Sequence, residues 1–288
     1  MNPRFSHVRI FWKWYVLFLL AVVSIMLWVR VLSTHEGVLT FVALDVGQGD
    51  ALFIESPTGV QIVIDGGPNN FLSRELSAVL PWYDRHVDMI IITNPDRDHY
   101  EGFFSFLDKY TTDVLVKSAT DQDNELYKQL EEKIDSKKIP TIVGVRGQVI
   151  DLGGGAYIQI LFPDRDVPGL SSNDGSLVMR LVYGKTSVML QGDSTAKIES
   201  YLLSLDGVNL DSDILKTGHH GSRTSSGEEY VKAITPEWAI ISAGKDNSYG
   251  HPHKEVVDTL NRYKVETLGT YDLGRIVFES DGENFVQK

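Results

Sequence analysis

The chain begins with one long apolar run and then changes to short β-rich segments separated by turn residues. From Trp14 to Val29 it reads WYVLFLLAVVSIMLWV, with no charge until Arg30. At about 1.5 Å per residue a helix of this run spans roughly 24 Å, against a hydrocarbon layer of ~30 Å. Ile10 to Trp12, Val31, Leu32 and the snorkelling Lys13 and Arg30 make up the difference. Trp12, Trp14, Tyr15 and Trp28 stand near its ends, where interfacial aromatics gather. Three readings compete: a helix buried in a core, a cleaved signal peptide and an uncleaved single-pass anchor. No small-x-small cleavage site follows in VRVLSTHEG, residues 29–37, so residues 1–35 are expected to be a membrane anchor. Arg4, Arg9 and Lys13 precede the run, whereas His35 and Glu36 follow it. By the positive-inside rule the amino terminus faces the cytoplasm, and everything after about residue 34 lies outside the cell membrane.

Residues 36–288 read as one domain. VLTFVALDV, ALFIES and QIVIDGG, between residues 38 and 67, predict three strands joined by tight connections. A helical stretch over 71–80 precedes VDMIIIT, a continuous apolar strand of the kind buried on both faces. Strand and helix signals recur at 113–118, 123–136 and 141–145, followed by a hairpin around LGGGA (152–156) leading into YIQILFP. SLVMRLVYG and TSVMLQGD predict two strands turning at Gly184–Lys185. Helices near 195–204, 226–234 and 252–261 then alternate with the strands DILKTG and EWAIISAG, and two strands close the chain. About a dozen strands with interspersed helices fit two sheets packed face to face beneath helices. Periodicity alone leaves an open α/β sheet as the alternative.

Composition narrows the function. The chain has 288 residues, 42% hydrophobic and 23% charged, which excludes a disordered or polytopic membrane protein. It has no cysteine, so a disulfide scaffold, a thiolate zinc site and a cysteine nucleophile are all excluded. The net charge is −12, but the anchor's four basic residues have no acidic counterpart. The remainder carries 23 basic against 39 acidic residues, or −16. Charge alone therefore steers no nucleic acid to this domain.

Candidate chemistry gathers at strand ends. ITNPDRDHYEG, residues 92–102, places Asp96, Asp98 and His99 within four positions after an apolar strand. Carboxylate and imidazole donors on one rigid loop suit zinc, manganese or iron. Capping of the next helix would account for one acid, but not for the group. LKTGHHGSRTSS, residues 215–226, adds adjacent histidines flanked by glycines that let the backbone approach a ligand. Asp193 closes a strand in QGD, a motif that ordinary turn chemistry also explains. His251 stands before a proline in NSYGHPH, at a helix entry. Asp45, Gln48 and Asp50 in DVGQGD are either turn formers or a site rim.

The ordered series DVGQGDA, IDGG, NPDRDH, SNDGSLV, QGD, HHGS and YGHP resembles the metallo-β-lactamase fold hydrolases. It is most similar to the branch that includes the carboxy-terminal domain of the DNA-uptake channel protein ComEC, over residues 40 to about 280. The resemblance implies an α/β fold, a four-layer αββα sandwich, here preceded by one transmembrane helix. It also implies one or two ions of zinc or manganese. By motif, Asp98 and His99 match ligands of the second metal position, and Asp193 matches the bridging carboxylate. His219 or His220 supplies the late histidine, and Asn173 falls near the mid-chain ligand. Asp65 matches a structural Asp that buttresses the loop. Asn94 stands where the family's first ligand histidine is found, with Asp96 in the second place, which puts occupancy of the first metal position in doubt. His251 is a candidate to contact substrate or protonate the leaving group.

The implied activity is a ComEC-like phosphodiesterase or nuclease. In it a metal brings the pKa of water toward about 7 and supplies hydroxide, with Asp98 orienting that water. The implied substrate is a phosphodiester, with DNA one candidate, and Arg223, Lys216 and Lys245 are candidates for a local phosphate patch. Alternatives are hydrolysis of another ester or of a cell-envelope phosphodiester, or a membrane-tethered binding module with a decayed site. Full ComEC proteins carry a multi-helix channel, which this sequence does not contain.

Overall fold

The computed structural model describes residues 4–32, 37–120, 124–164 and 169–288. The chain forms two compact units, Met1–Glu36 and Gly37–Lys288. The expected boundary after residue 35, and the start of the expected helix at residue 123, lie outside the described residues. The first unit is helix α1 (Arg4–Leu32). Its 19-residue stretch Phe11–Val29 is long and apolar enough to cross a membrane, at roughly 28 Å. Large apolar side chains there, such as Phe18 and Met26, are exposed rather than packed in a core.

In the second unit β1 (Leu39–Ala43), β2 (Leu52–Glu55) and β3 (Gln61–Ile64) make an antiparallel meander. Helix α2 (Phe71–Val79) then leads to β4 (His86–Ile92), and α3 (Arg97–Tyr100) with α4 (Gly102–Lys109) leads to β5 (Thr111–Lys117). Next, α5 (Glu125–Ser136) leads to β6 (Thr141–Val143), and all these pairings are parallel. The second sheet repeats the plan. Strands β7 (Val149–Gly153), β8 (Ala156–Phe162), β9 (Val178–Tyr183) and β10 (Thr186–Leu190) are antiparallel. Helix α6 (Ala196–Asp206), α7 (Glu228–Ile234) and α8 (Lys254–Arg262) then connect the parallel strands β11 (Ile214–Lys216), β12 (Trp238–Ile241) and β13 (Glu266–Gly269). Helix α9 (Thr270–Leu273) returns the chain to the first sheet, where β14 (Ile276–Ser280) pairs with β1 and β15 (Phe285–Gln287) forms the edge.

The two sheets run β15-β14-β1-β2-β3-β4-β5-β6 and β13-β12-β11-β10-β9-β8-β7. Alternation sorts each strand's side chains into layers. Leu39, Phe41 and Ala43 of β1 face the core between the sheets, with Ile240 of β12 opposite. Val42 faces the helices of the first half with Leu76 and Phe106, while Ala239 and Ile241 face those of the second with Leu202 and Leu260. This is the expected four-layer αββα sandwich. Three strands close the chain rather than two, because β13 and β15 are four and three residues long, too short to show a period.

Candidate metal centre

The parallel strands of both sheets direct their carboxyl ends toward one region, where ligands of open α/β sheets bind. Asp65 follows β3, Asn94–His99 follow β4, Asp193 follows β10, and His219 and His220 follow β11. Asp50 arrives from the β1–β2 connection. Gly49, at φ 143°, makes that approach possible: a Cβ there would lie 2.4 Å from the Asp98 carbonyl oxygen. The Asp50 N–H donates to the same carbonyl at 3.2 Å. Asp65, His219 and His220 all have left-handed backbone, with φ of 59°, 48° and 55°. Such residues concentrate where a site fixes side-chain direction against local preference.

Two carboxylate–imidazole pairs organise the centre. Asp65 accepts from the Thr93 N–H at 2.8 Å and the Thr93 hydroxyl at 2.6 Å, and its Oδ2 lies 2.8 Å from His99 Nδ1. His99 Nε2 then lies 3.1 Å from Asp193 Oδ2. Asp50 Oδ1 is 3.2 Å from His220 Nδ1, and His220 Nε2 is 3.2 Å from Asp98 Oδ2 and 3.6 Å from Asp193 Oδ1. Carboxylates behind imidazoles are the arrangement that orients ligating histidines. Behind Asp50 stands Lys216, 1% exposed, whose Nζ donates to Asp50 Oδ2 at 2.8 Å and to the Thr217 carbonyl at 2.9 Å.

The donor set fits a metal. His99 Nε2, His220 Nε2 and Asp193 Oδ1 are buried and make no hydrogen bond. Buried polar atoms are rarely left so. Asp98, His99 and His220 form one group with ligand atoms within 4.8 Å of one another, and Asp50, His99 and Asp193 form a second. Two ligand atoms each ~2.1 Å from one tetrahedral ion stand about 3.4 Å apart. The donor separations of 3.1–3.6 Å match this. Without a bound metal, protons would balance the carboxylates. Burial would lower the His220 pKa, but Asp193 and Asp50 outweigh it and hold the ring at about 10. His99 is likewise held well above its ordinary value by Asp193 and Asp65, against burial. Burial would raise Asp98 and Asp193, yet the neighbouring imidazoles keep both below the usual carboxylate range.

Of the eight candidate ligands, the structure brings Asp98, His99, Asp193 and His220 together. His219 is half-buried on the rim, with Nε2 3.9 Å from Asp193 Oδ2 and Nδ1 3.1 Å from the Thr224 hydroxyl. Asn94, Asp96 and Asn173 form a network of their own. Asn94 Oδ1 accepts from the Asp96 N–H at 2.8 Å, and its Nδ2 donates to Asn173 Oδ1 at 2.9 Å and Ser176 Oγ at 3.2 Å. Asp96 Oδ2 accepts from the Ser172 hydroxyl at 2.9 Å and belongs to neither donor group. His251 Nδ1 lies 3.4 Å from Gln48 Nε2. Burial and the neighbouring imidazoles of His220, His219 and His253 push its pKa down to about 4, so the ring is neutral at pH 7.

Of the residues expected in a phosphate patch, Lys216 drops out, being buried against Asp50; Arg223 is exposed and pairs with Glu255 at 3.5 Å, and Lys245 is exposed. Asp50 and Lys216 join the centre although sequence reasoning gave them other places. The available signal was a lysine at the end of a strand otherwise made of buried apolar residues.

A family model described as the metallo-beta-lactamase superfamily matches residues 44–245. ComE operon protein 3 of Bacillus subtilis (strain 168) is 29% identical over 262 residues, covering 82% of this chain and 32% of that protein. Recombination protein 2 of Haemophilus influenzae is 31% identical over 238 residues, covering 81% and 28%. The chain thus spans about a third of the length of these curated relatives. Among solved structures, CmlA, a diiron β-hydroxylase from Streptomyces venezuelae, aligns with a TM-score of 0.54 at 15% identity. That alignment covers 86% of this chain and 54% of CmlA, a likeness of fold.

Proposed function

The chain belongs to the metallo-beta-lactamase superfamily, and from that premise we propose that it is a membrane-anchored, metal-dependent phosphodiesterase acting on nucleic acid. One observation carries the reading: Asp98, His99, Asp193 and His220 face one another across 3.1–3.6 Å, and His99 Nε2, His220 Nε2 and Asp193 Oδ1 among them are buried and make no hydrogen bond. These four residues would hold zinc or manganese. When bound, the metal supplies Lewis acidity, lowering the pKa of water and polarising a phosphoryl oxygen.

The chain's own groups do the rest. Asp65 and Asp50 fix the two imidazoles so that each Nε2 faces the shared space. Asp98, whose side chain is 34% exposed, is the donor nearest solvent and is placed to orient an attacking water. His251, with its ring centre 6.3 Å from that of His220, is neutral and positioned to hydrogen-bond the departing oxygen. The names of the relatives, a ComE operon protein and a recombination protein, favour nucleic acid as substrate. The exposed apolar stretch Phe11–Val29 favours a single-pass anchor, and the basic residues before it favour an extracytoplasmic domain.

The test uses the full chain in detergent with added zinc or manganese. Hydrolysis of bis-p-nitrophenyl phosphate and of single-stranded DNA is expected, and loss of both in an Asp98→Ala, His99→Ala double variant. Turnover that persists in the double variant would contradict the assignment.

A further inference from the structure

We propose that the cleft beside Asp98 takes the unpaired nucleobase next to the scissile phosphodiester of a single-stranded nucleic acid, with Tyr249 as its stacking surface. The inference rests on the phosphodiesterase reading and names the substrate form. The cleft encloses about 510 Å³ and is lined by Gln48, Pro68, Phe71, Arg97, Asp98 and Tyr249, among others. This is the size of a small-ligand site, typically ~300–1,000 Å³. One wall is thus a candidate metal donor, and two others are aromatic rings.

Tyr249 is 66% exposed, so packing in a core does not explain its ring. It lies nearly parallel to His251, with centres 5.7 Å apart and planes at 26°. His251 in turn lies 6.3 Å from His220. Flat faces therefore lead outward from the donor group to the mouth of the cleft. The Arg74 guanidinium sits 5.0 Å over the Phe71 ring, and Arg97 pairs with Glu101 at 2.5 Å while lining the same cleft. Both guanidiniums stay more than half exposed beside these partners.

Charge explains why stacking is the mode. With −16 on residues beyond the anchor, long-range attraction to phosphates contributes little here. Base–aromatic stacking needs no cation and tolerates any sequence. It does need the face of the base, which a duplex keeps covered.

The experiment compares two single strands of equal length and charge on the full chain in detergent, one bearing bases and one abasic throughout. The wild type is expected to prefer the base-bearing strand in kcat/KM. Tyr249→Ala is expected to cut that preference roughly tenfold, whereas Tyr249→Phe keeps it. An unchanged preference in Tyr249→Ala, or an equal loss on both strands, overturns the proposal. If bis-p-nitrophenyl phosphate is hydrolysed but neither strand is, the proposal falls together with nucleic acid as the substrate, while metal-dependent phosphodiesterase activity stands. If none of the three is hydrolysed, both fall.

Discussion

Asp65 and Asp50 each stand behind an imidazole, and they differ in their other partners. Asp65 is held by the N–H and hydroxyl of Thr93, whereas Asp50 is held by the buried ammonium of Lys216. Removing one member of a buried pair leaves the other uncompensated. Lys216→Met is therefore expected to destabilise the metal-free protein by about 3–5 kcal/mol. Lys216→Met with Asp50→Asn is expected to recover much of that loss, and chemical denaturation of the two variants checks the coupling. Protons give a second prediction. His220 titrates near 10 in the metal-free centre, well above its ordinary value of about 6.5. Its contribution to stability is therefore complete below pH ~6.5 and is lost as pH rises through about 10. Because a ligating imidazole must be neutral, metal binding at pH 7 is expected to release protons from His99 and His220, and metal affinity to rise with pH. Calorimetry in buffers of different ionisation heat counts those protons, and a count of zero would contradict the ligand assignment. At this scale Asp98, His99, Asp193 and the histidine pair were legible as donor types at strand ends. The Asp50–Lys216 pair was not, because its members lie 166 residues apart and each has a bland local explanation.

At the scale of elements, strand and helix periods were legible wherever an element has two buried faces or one clear apolar stripe. Strand β4, with Val87, Ile90, Ile91 and Ile92 all buried, is one such case, and α2, burying Leu72 and Leu76 one turn apart, is another. The junctions were less legible, because they depend on contact between distant backbones. Gly102 starts α4 where the chain passes the turn after β3, and its N–H donates to the Gly67 carbonyl at 2.9 Å. A Cβ at Gly102 would lie 1.9 Å from the Gly66 carbonyl oxygen. Gly102→Ala must push apart the segments that carry Asp65 and His99. It is expected to cost about 1–3 kcal/mol in denaturation, together with weaker metal binding. A variant with wild-type stability and affinity would show that this junction does not position the centre.

At the scale of the whole molecule, two halves of the same plan meet so that five loops, after β1, β3, β4, β10 and β11, converge on one buried cluster. No single half contains it: Asp98 and His99 come from the first sheet, Asp193 and His220 from the second. The order of the motifs made the sandwich legible through resemblance, whereas hydrophobic periods alone could not say that two sheets, rather than one, bring those loops together. The acidic composition and the apolar first helix fit the proposed function, in which a hydrolytic domain on a membrane anchor gains little from long-range electrostatic attraction to its substrate. The most direct test titrates manganese or zinc into the metal-stripped full chain, measuring bound metal and bis-p-nitrophenyl phosphate turnover on the same samples. Because the Asn94 oxygen is already committed to the Asp96 N–H, one ion per chain is expected, with turnover rising in proportion to occupancy. Turnover that does not depend on bound metal, or a chain that takes up no metal, would contradict the account.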